Sequence, residues 1–364
     1  MTTIAQSGIL GFGPSAGKGV AVANGNWYRH KANNIDIGPD DDQRLGPNEV
    51  GGEPTPSFPY KAGVMVSGGA EINPRLQNSI GWLLYGALGS VETTSGSGTL
   101  YHHEFKHSVT NPSYVPWMGV RKAIPQGSDA GEYALGETYQ DCKLLSLVFN
   151  LPNDGLITAR ADWLGRLFSQ EQDPTWNTIS GSAGWASAGA FESFPSIPIS
   201  SVIGGYIYEP TYGNLPVVGA SVSIVNQPLP VQQEKVYGSP YLEDVTIVTR
   251  AVTFDLIVKW KNPDMYRKIL TGSASGTTWS ATPFTSSLDL LSLSPDVITG
   301  TSTHYQLRAE LSSIVLFPVG KVTLAGNEAI MQRYRGTAIQ TGSATPYVKF
   351  TLTNEVAAYT WPTI

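Results

Sequence analysis

The stretch that decides the fold is Tyr60–Gly89, YKAGVMVSGGAEINPRLQNSIGWLLYGALG, and a second stretch, Val252–Gly272, VTFDLIVKWKNPDMYRKILTG, has the same plan. In each, strand-like residues lead to an Asn-Pro pair, apolar residues recur at helical spacing, and a Gly comes last. Proline suits the first turn of a helix because its missing N–H would be unpaired there. The plan therefore predicts a strand, a helix that begins directly after Asn-Pro, and a helix end at Gly89 and again at Gly272.

The segments after the two predicted helices indicate a tandem repeat. Both copies continue with a Ser/Gly/Thr-rich loop and a strand that opens with Tyr-Gln, at Tyr139-Gln140 and Tyr305-Gln306. The first copy then carries a hairpin signal, Asn153-Asp154-Gly155. Further strands are predicted at Cys142–Phe149, Leu156–Trp163, Ala220–Val225, Val245–Val258, Tyr305–Leu311, Ala329–Ile339 and Tyr347–Thr353, with a turn at Gly326-Asn327. We predict a mainly β chain with two tandem copies of one small β-module, each with one flanking α-helix.

Composition sets the module boundaries. Residues 176–198 are rich in Ser, Gly, Ala and Pro and are interpreted as a linker. The N-terminal module is then residues 1–175 and the C-terminal module residues 199–364. Residues 1–60 predict long loops around a few short strands. They form either an arm that orders against another subunit or a partly disordered start.

The composition favours a surface that neighbouring subunits cover. Only 14% of the 364 residues are charged, whereas 41% are hydrophobic, and soluble domains usually carry about 25% charged residues. The 39 Gly and 25 Pro predict short strands and many turns. Exposed strand edges of one subunit would find their partners only on assembly.

Charge, cysteine content and hydropathy exclude several classes of protein. A net charge of −6 argues against tight DNA binding, which needs clustered Lys and Arg to neutralise phosphates. The single Cys142 allows no intramolecular disulfide. The first residues show no secretory signal, and no apolar run approaches the roughly 20 residues that span a bilayer. We expect no membrane insertion, and we expect assembly in the cytoplasm.

The segment His103-Glu104-Phe105-Lys106-His107 has the spacing of zinc proteases, in which a helix brings both histidines to one face and Glu acts as base. The flanking residues instead favour a strand, on which four residues advance about 13 Å. The two imidazoles could then not share a zinc ion. We expect His103→Ala to leave structure and assembly unchanged.

The segment Gly11–Gly19 resembles a phosphate-binding loop, whose backbone N–H groups and Lys bind phosphates. Five residues separate Gly11 from Gly17 instead of four, and Gly19 stands where Ser or Thr should bind magnesium. The segment is interpreted as a flexible Gly-rich loop.

Two further patterns could suggest binding sites. The run Asp40-Asp41-Asp42 lacks the alternate spacing and final Glu of a calcium loop, so a solvated or lumen-facing acidic turn is favoured.

Tryptophans could line a sugar-binding face, but core or interface packing is the default for aromatic residues. These tryptophans include Trp82, Trp117, Trp163, Trp185 and Trp279. No catalytic, cofactor-binding or metal-binding residue is predicted, and no cofactor.

From Glu49 to Gly165 the chain resembles the tail tube (major tail) proteins of bacteriophages with long non-contractile tails. The residues that carry the resemblance are Asn73-Pro74-Arg75, Ser79–Gly89, Tyr101–Phe105, Asn111–Ser113, Leu144–Leu147 and Ala159–Gly165. The resemblance implies β-sandwich or barrel modules that pair edge to edge into rings of six around a lumen, with the rings stacked into a tube that conducts DNA. The second copy lacks the Gly-Trp-Leu-Leu run of the first.

Because this chain carries two copies of the module, three chains are expected to close one pseudo-sixfold ring. The resemblance implies a virion protein whose partners are further copies of itself, the tape measure, terminator and distal tail proteins, and DNA in passage through the lumen. Two alternatives stay open. One is another virion part, such as a distal tail, baseplate or capsid decoration protein. The other is a carbohydrate-binding β-sandwich. An enzyme is the third choice.

Overall fold

The structure is a computed structural model that describes residues 8–23, 26–47, 50–52, 55, 58–108, 111, 113–124, 135–172, 198–200, 205–261, 263–322, 324, 329–341 and 346–362. The strands are β1 Ile9–Pro14, β2 Tyr28–His30, β3 Ala32–Ile35, β4 Gly38–Leu45, β5 Pro59–Ile72, β6 Gly89–Ser95, β7 Tyr101–His107, β8 Met118–Ile124, β9 Leu135–Pro152, β10 Thr158–Gln172, β11 Gly205–Glu209, β12 Gly213–Asn214, β13 Val217–Pro228, β14 Ile247–Lys259, β15 Thr285–Val297, β16 His304–Val319, β17 Met331–Ala338 and β18 Val348–Asn354. Two α-helices, α1 Ser79–Leu88 and α2 Asp264–Thr271, and a 3-10 turn at Val231–Gln233 complete the described part. The mainly β prediction is confirmed.

One antiparallel run of strands passes through both halves of the chain, in the order β4–β5–β10–β9–β13–β14–β17–β16. Alternate residues of each strand point to opposite faces, so cross-strand neighbours share a face. One face is apolar and buried. It includes the row Ala159, Phe149, Val222 and Phe254, and the row Ala161, Leu147, Ile224 and Val252. This face forms a large part of the core.

The remaining strands extend this run on two sides. The first part of β9 pairs with β8, which continues to β1 and β2. The first part of β16 pairs with β18, which continues to β7 and β6, while β15, β11 and β12 lie on its other side. Along β9 the partner changes from β8 to β13, and near this change Asp141 has a φ of 52°. The long strands therefore bend and connect two layers.

The helix α1 lies in the interior, although a flanking helix was expected. All its residues except Tyr85 are buried, and strands β9, β7, β6, β1, β2 and β13 pack around it. It ends at Gly89 with a φ of 88°, as predicted, because a left-handed conformation suits glycine. Its start at Ser79 is later than the predicted start after Asn73-Pro74. Carbonyl groups of the residues before Ser79 bind distant side chains instead of continuing a helix.

The helix α2 agrees more closely with its prediction. It begins at Asp264, directly after Pro263, and ends at Gly272 with a φ of 75°. Only Met265 and Ile269 of its residues are buried. The described residues do not include Asn262, the turn at Gly326-Asn327, residues 1–7 or the linker except Pro198. Neither helix in the described part of the chain is long and apolar enough to cross a membrane.

The predicted hairpin around Asn153–Gly155 is formed by β9 and β10, and both strands are longer than predicted. The other predicted strands are also found, as β13, β14, β16, β17 and β18. The hydrophobic alternation in the sequence marked each of these strands, because one face of each strand is buried.

Candidate functional site

The long run of strands has a second face, which is polar and accessible to solvent; we call it the polar face. One row across five strands consists of Thr158, Asn150, Ser221, Asp255 and Arg335. Each of these residues is exposed or half-buried. The neighbouring row contains Arg160, Val148, Ser223, Thr253 and Thr337. The polar face thus extends from the N-terminal to the C-terminal half, with Val148, Ile257 and Phe317 as apolar residues on it.

Charges of both signs on the polar face bind each other. Arg160 Nη2 lies 2.8 Å from Asp36 Oδ2, and its Nε lies 2.8 Å from Asp162 Oδ1. Arg333 and Arg335 both bind Asp255, with 3.1 Å between Arg335 Nε and Oδ2. Hydrogen bonds from Arg333 and Arg335 lower the pKa of Asp255, although partial burial opposes this. These cations are therefore neutralised within the sheet rather than left to bind phosphates.

The two halves meet through strand pairing. β13 pairs with β9 from Gly219↔Pro152 to Val225↔Ser146, and β18 pairs with β7 from Lys349↔Lys106 to Asn354↔Tyr101. Each junction closes an edge that would otherwise present unpaired N–H and C=O groups.

Side chains of the C-terminal half bind the C-terminal end of α1. Asn226 Nδ2 donates to Ala87 O (3.1 Å), and Arg250 Nη1 donates to Leu88 O (3.1 Å). Arg250 also donates to Asn226 Oδ1 (2.6 Å) and to Tyr114 O (3.0 Å). Burial lowers the pKa of Arg250 to about 10. A cation here compensates the partial negative charge of the helix end.

The last described residues bind the other end of α1. Asn354 Nδ2 donates to Leu76 O (3.1 Å) and Gln77 O (3.0 Å), and Tyr359 Oη donates to Asn78 O (2.8 Å). The Tyr359 and Trp361 rings lie 5.2 and 6.1 Å from the Trp82 ring. The helix of the N-terminal half is thus fixed at both ends by the C-terminal half.

Compared with known families, the chain matches the phage tail tube proteins over residues 12–338, which is most of its length. The chain belongs to the phage tail tube protein family. A comparison with individual curated proteins gives no match. The family gives this tail tube protein a structural role in the virion, where such proteins assemble into a polymeric tube. The resemblance found in the sequence is confirmed.

The HExxH segment of this tail tube protein is strand β7, as predicted. His103 is buried, and hydrogen bonds join its Nδ1 to Thr93 Oγ1 (2.9 Å) and its Nε2 to Asn354 Oδ1 (3.0 Å). Glu104 instead lies on the opposite face and binds Lys349 Nζ at 3.0 Å. The described residues contain no group of three potential metal ligands. His103→Ala is therefore not expected to leave the structure unchanged, because the substitution would remove the two hydrogen bonds of this buried side chain.

The first part of the Gly-rich segment is not the loop that was expected, whereas residues 16–19 form bends and a turn. Ile9–Pro14 forms the buried strand β1, and a Cβ at Gly13 would lie 2.2 Å from Asn26 O, so glycine is needed for close packing. The backbone N–H of Gly19 donates to Asp141 Oδ1 (2.8 Å), and Asp141 Oδ2 binds Arg166 at 2.6 Å. A carboxylate of the protein itself thus occupies the position that a phosphate would need.

The acidic run Asp40-Asp41-Asp42 lies on strand β4, not in a turn. Asp40 bonds to the Ser67 hydroxyl, Asp41 binds Lys61 at 2.7 Å, and Asp42 binds Arg44 at 2.7 Å. These carboxylates are paired within the chain, which leaves no cation site to infer.

The tryptophans divide between core and surface. Trp82 and Trp163 are buried, whereas Trp279 is 77% exposed, and Trp185 lies outside the described residues. Trp117 is half-buried, with Lys143 Nζ 4.1 Å from its ring. Core packing is thus confirmed for two tryptophans, and packing at an interface between chains stays a prediction for Trp279.

The single cysteine lies in the hydrophobic core. Cys142 is buried as a free thiol, and burial raises its pKa. A thiol becomes reactive as the thiolate, which this environment disfavours.

Sequence reasoning missed the residues that bind α1, namely Asn226, Arg250, Asn354 and Tyr359. Asn226 and Asn354 are almost completely buried polar side chains at strand ends. A polar residue at a position where the strand pattern expects an apolar one was the available signal.

Proposed function

We propose that three copies of this chain close into a ring of six modules, that the rings stack into a tail tube, and that the tube conducts DNA during ejection. The observation that carries this proposal is the uninterrupted run of strands with one buried and one polar face, which crosses from one half of the chain to the other. A sheet of this kind supports a barrel wall with its polar face towards the lumen.

The order of strand pairing supports a two-module chain. The N-terminal half has the order β2–β1–β8–β9–β10–β5–β4, with α1 after β5. The C-terminal half has the order β12–β11–β15–β16–β17–β14–β13, with α2 after β14. The two series, which leave out β3, β6, β7 and β18, agree in order, and all their pairings are antiparallel. We therefore place the modules at residues 1–175 and 199–364, with residues 176–198 as linker.

Passage of DNA is supported by the electrostatics of the polar face. Its arginines are paired with carboxylates, and the chain has a net charge of −6. A lumen with few uncompensated cations would repel or ignore phosphates, so DNA would not adhere to it. We further propose assembly in the host cytoplasm, with the tape measure, terminator and distal tail proteins as partners.

Negative-stain microscopy and native mass spectrometry of the purified chain test the proposal. We expect hollow, regularly striated filaments and a ring of three chains as the smallest closed unit. A single closed ring that never stacks would instead indicate a distal tail or decoration protein. Six chains in each ring would refute the two-module arrangement.

A further inference from the structure

In the proposed two-module arrangement, α1 and α2 occupy corresponding positions, but they are covered very differently. Nearly all of α1 is buried, whereas only Met265 and Ile269 of α2 are. Strands of its own half cover most of α1, and the module that comes after it in the chain covers the remainder with β13, Tyr359 and Trp361. Tyr359 and Trp361 pack on Trp82, Trp361 also lies 4.8 Å from Tyr85, and Trp361 Nε1 donates to Ser15 O (2.8 Å).

The surface beside α2 has features of an unfilled site. A cleft of about 130 Å³ lies between the helix and the sheet; its lining includes Tyr212, Trp260, Met265 and Tyr334, and we call it the α2 cleft. The Tyr212 hydroxyl is buried and has no hydrogen-bond partner among the described residues. Trp279, on the loop after α2, is 77% exposed.

The sequence supplies a matching segment. Residues 360–364, after β18, read Thr-Trp-Pro-Thr-Ile, and residues 175–179, after β10, read Thr-Trp-Asn-Thr-Ile. Trp176 and Trp361 thus share their local sequence and each follows the last strand of its module, although β10 corresponds in pairing order to β17 and β18 has no counterpart in the N-terminal module. Trp361 follows the C-terminal module and packs on α1, the helix of the N-terminal module. By analogy Trp176, which follows the N-terminal module, should pack on the helix of the module that comes before the N-terminal one in the ring. A neighbouring chain offers such a helix, because only Met265 and Ile269 of its α2 are buried.

We propose that a second copy of this chain docks on the α2 cleft and inserts Trp176 against α2, as Trp361 packs against α1. The inference rests on the proposed ring and names the contact that closes it. In each chain α1 would then be covered within the chain itself, and Trp176 would cover α2 of the next chain. A large aromatic anchor in a concave site is typical of residues that dominate association.

A photo-crosslinking experiment tests this contact in the full-length chain. Trp176→p-benzoylphenylalanine is introduced, and equal amounts of light and ¹⁵N-labelled chains are assembled and irradiated. We expect crosslinks from position 176 to residues 260–279 in mixed-isotope pairs. Trp361→p-benzoylphenylalanine is the matched control and should crosslink to residues 82–85 of the same chain. Crosslinks from position 176 that map to its own chain, or to any other region, would overturn the proposal.

Substitution gives an independent readout. Trp176→Ala should leave the urea midpoint of the dilute monomer unchanged and raise the concentration needed for polymerisation by about tenfold or more, as for loss of an interface anchor. Trp361→Ala should lower the urea midpoint itself. A Trp176→Ala chain that polymerises like the wild type would refute the inference while leaving the tube function intact. Failure of the wild-type chain to form hollow polymers would instead refute the proposed function.

Discussion

The contact between Tyr359 and α1 makes a sharp prediction for Gly81→Ala. Alanine in place of glycine within a helix normally stabilises it by about 1 kcal/mol. A Cβ at Gly81, however, would lie 2.2 Å from Tyr359 Cζ and 2.5 Å from its hydroxyl oxygen. If the ring stays, overpacking costs about 1–3 kcal/mol. If the ring moves, its bonds to Asn78 O and from Asn354 Nδ2 are lost, at about 1 kcal/mol each.

Movement of the ring would cost about 1 kcal/mol more than the gain in helix propensity, and overpacking up to about 2 kcal/mol more, so we expect Gly81→Ala to lower the free energy of unfolding. Urea unfolding of the dilute chain, measured by tryptophan fluorescence, gives the change. In a Tyr359→Ala background the same substitution should stabilise the chain by about 1 kcal/mol, because the clash is gone. Gly81→Ala that stabilises the otherwise unchanged chain, or acts equally in both backgrounds, would refute the reasoning.

Three further predictions concern buried groups. Asp141→Asn should cost about 3–5 kcal/mol of unfolding free energy because it leaves Arg166 buried without its carboxylate. Glu243→Gln, which breaks the exposed pair with Lys18, should cost far less, and urea midpoints compare the two. Burial lowers the pKa of His103 and of His107 below the usual 6.5, so the unfolded chain takes up protons before the folded chain does and thermal stability should fall as pH drops below 6.5. His103→Gln should weaken this pH dependence. A melting temperature that does not change from about pH 7.5 to 5 would contradict the prediction. Trp163→Ala should destabilise by about 3–5 kcal/mol, whereas Trp279→Ala should stay within about 0.5 kcal/mol of the wild type in urea unfolding; equal effects would contradict their different burial.

Local patterns predicted much of the fold. The alternation in Val252–Trp260, the Asn153–Gly155 turn and the glycines at 89 and 272 each specify structure within a few residues, and all were confirmed. The Gly11–Pro14 segment was assigned wrongly as a loop because its glycines suggested flexibility. They instead permit close packing of β1 against neighbouring backbone.

The arrangement of the two halves could not be predicted, because it depends on contacts between residues far apart in sequence. Nothing local to β9 or β13 indicates that they pair with each other. The start of α1 is a similar case, since the carbonyls of Leu76 and Gln77 bind the amide of Asn354. A helix boundary that a distant side chain sets is invisible to a window of neighbouring residues.

The late position of Asn354 and Tyr359 has a consequence for biosynthesis. During translation the N-terminal half leaves the ribosome long before the side chains that fix α1, so this helix reaches its final environment only after residue 359 is made. Until then the edges of β7 and β9 also lack their partners β18 and β13. Nascent chains should therefore need protection from each other until residue 359 has been made.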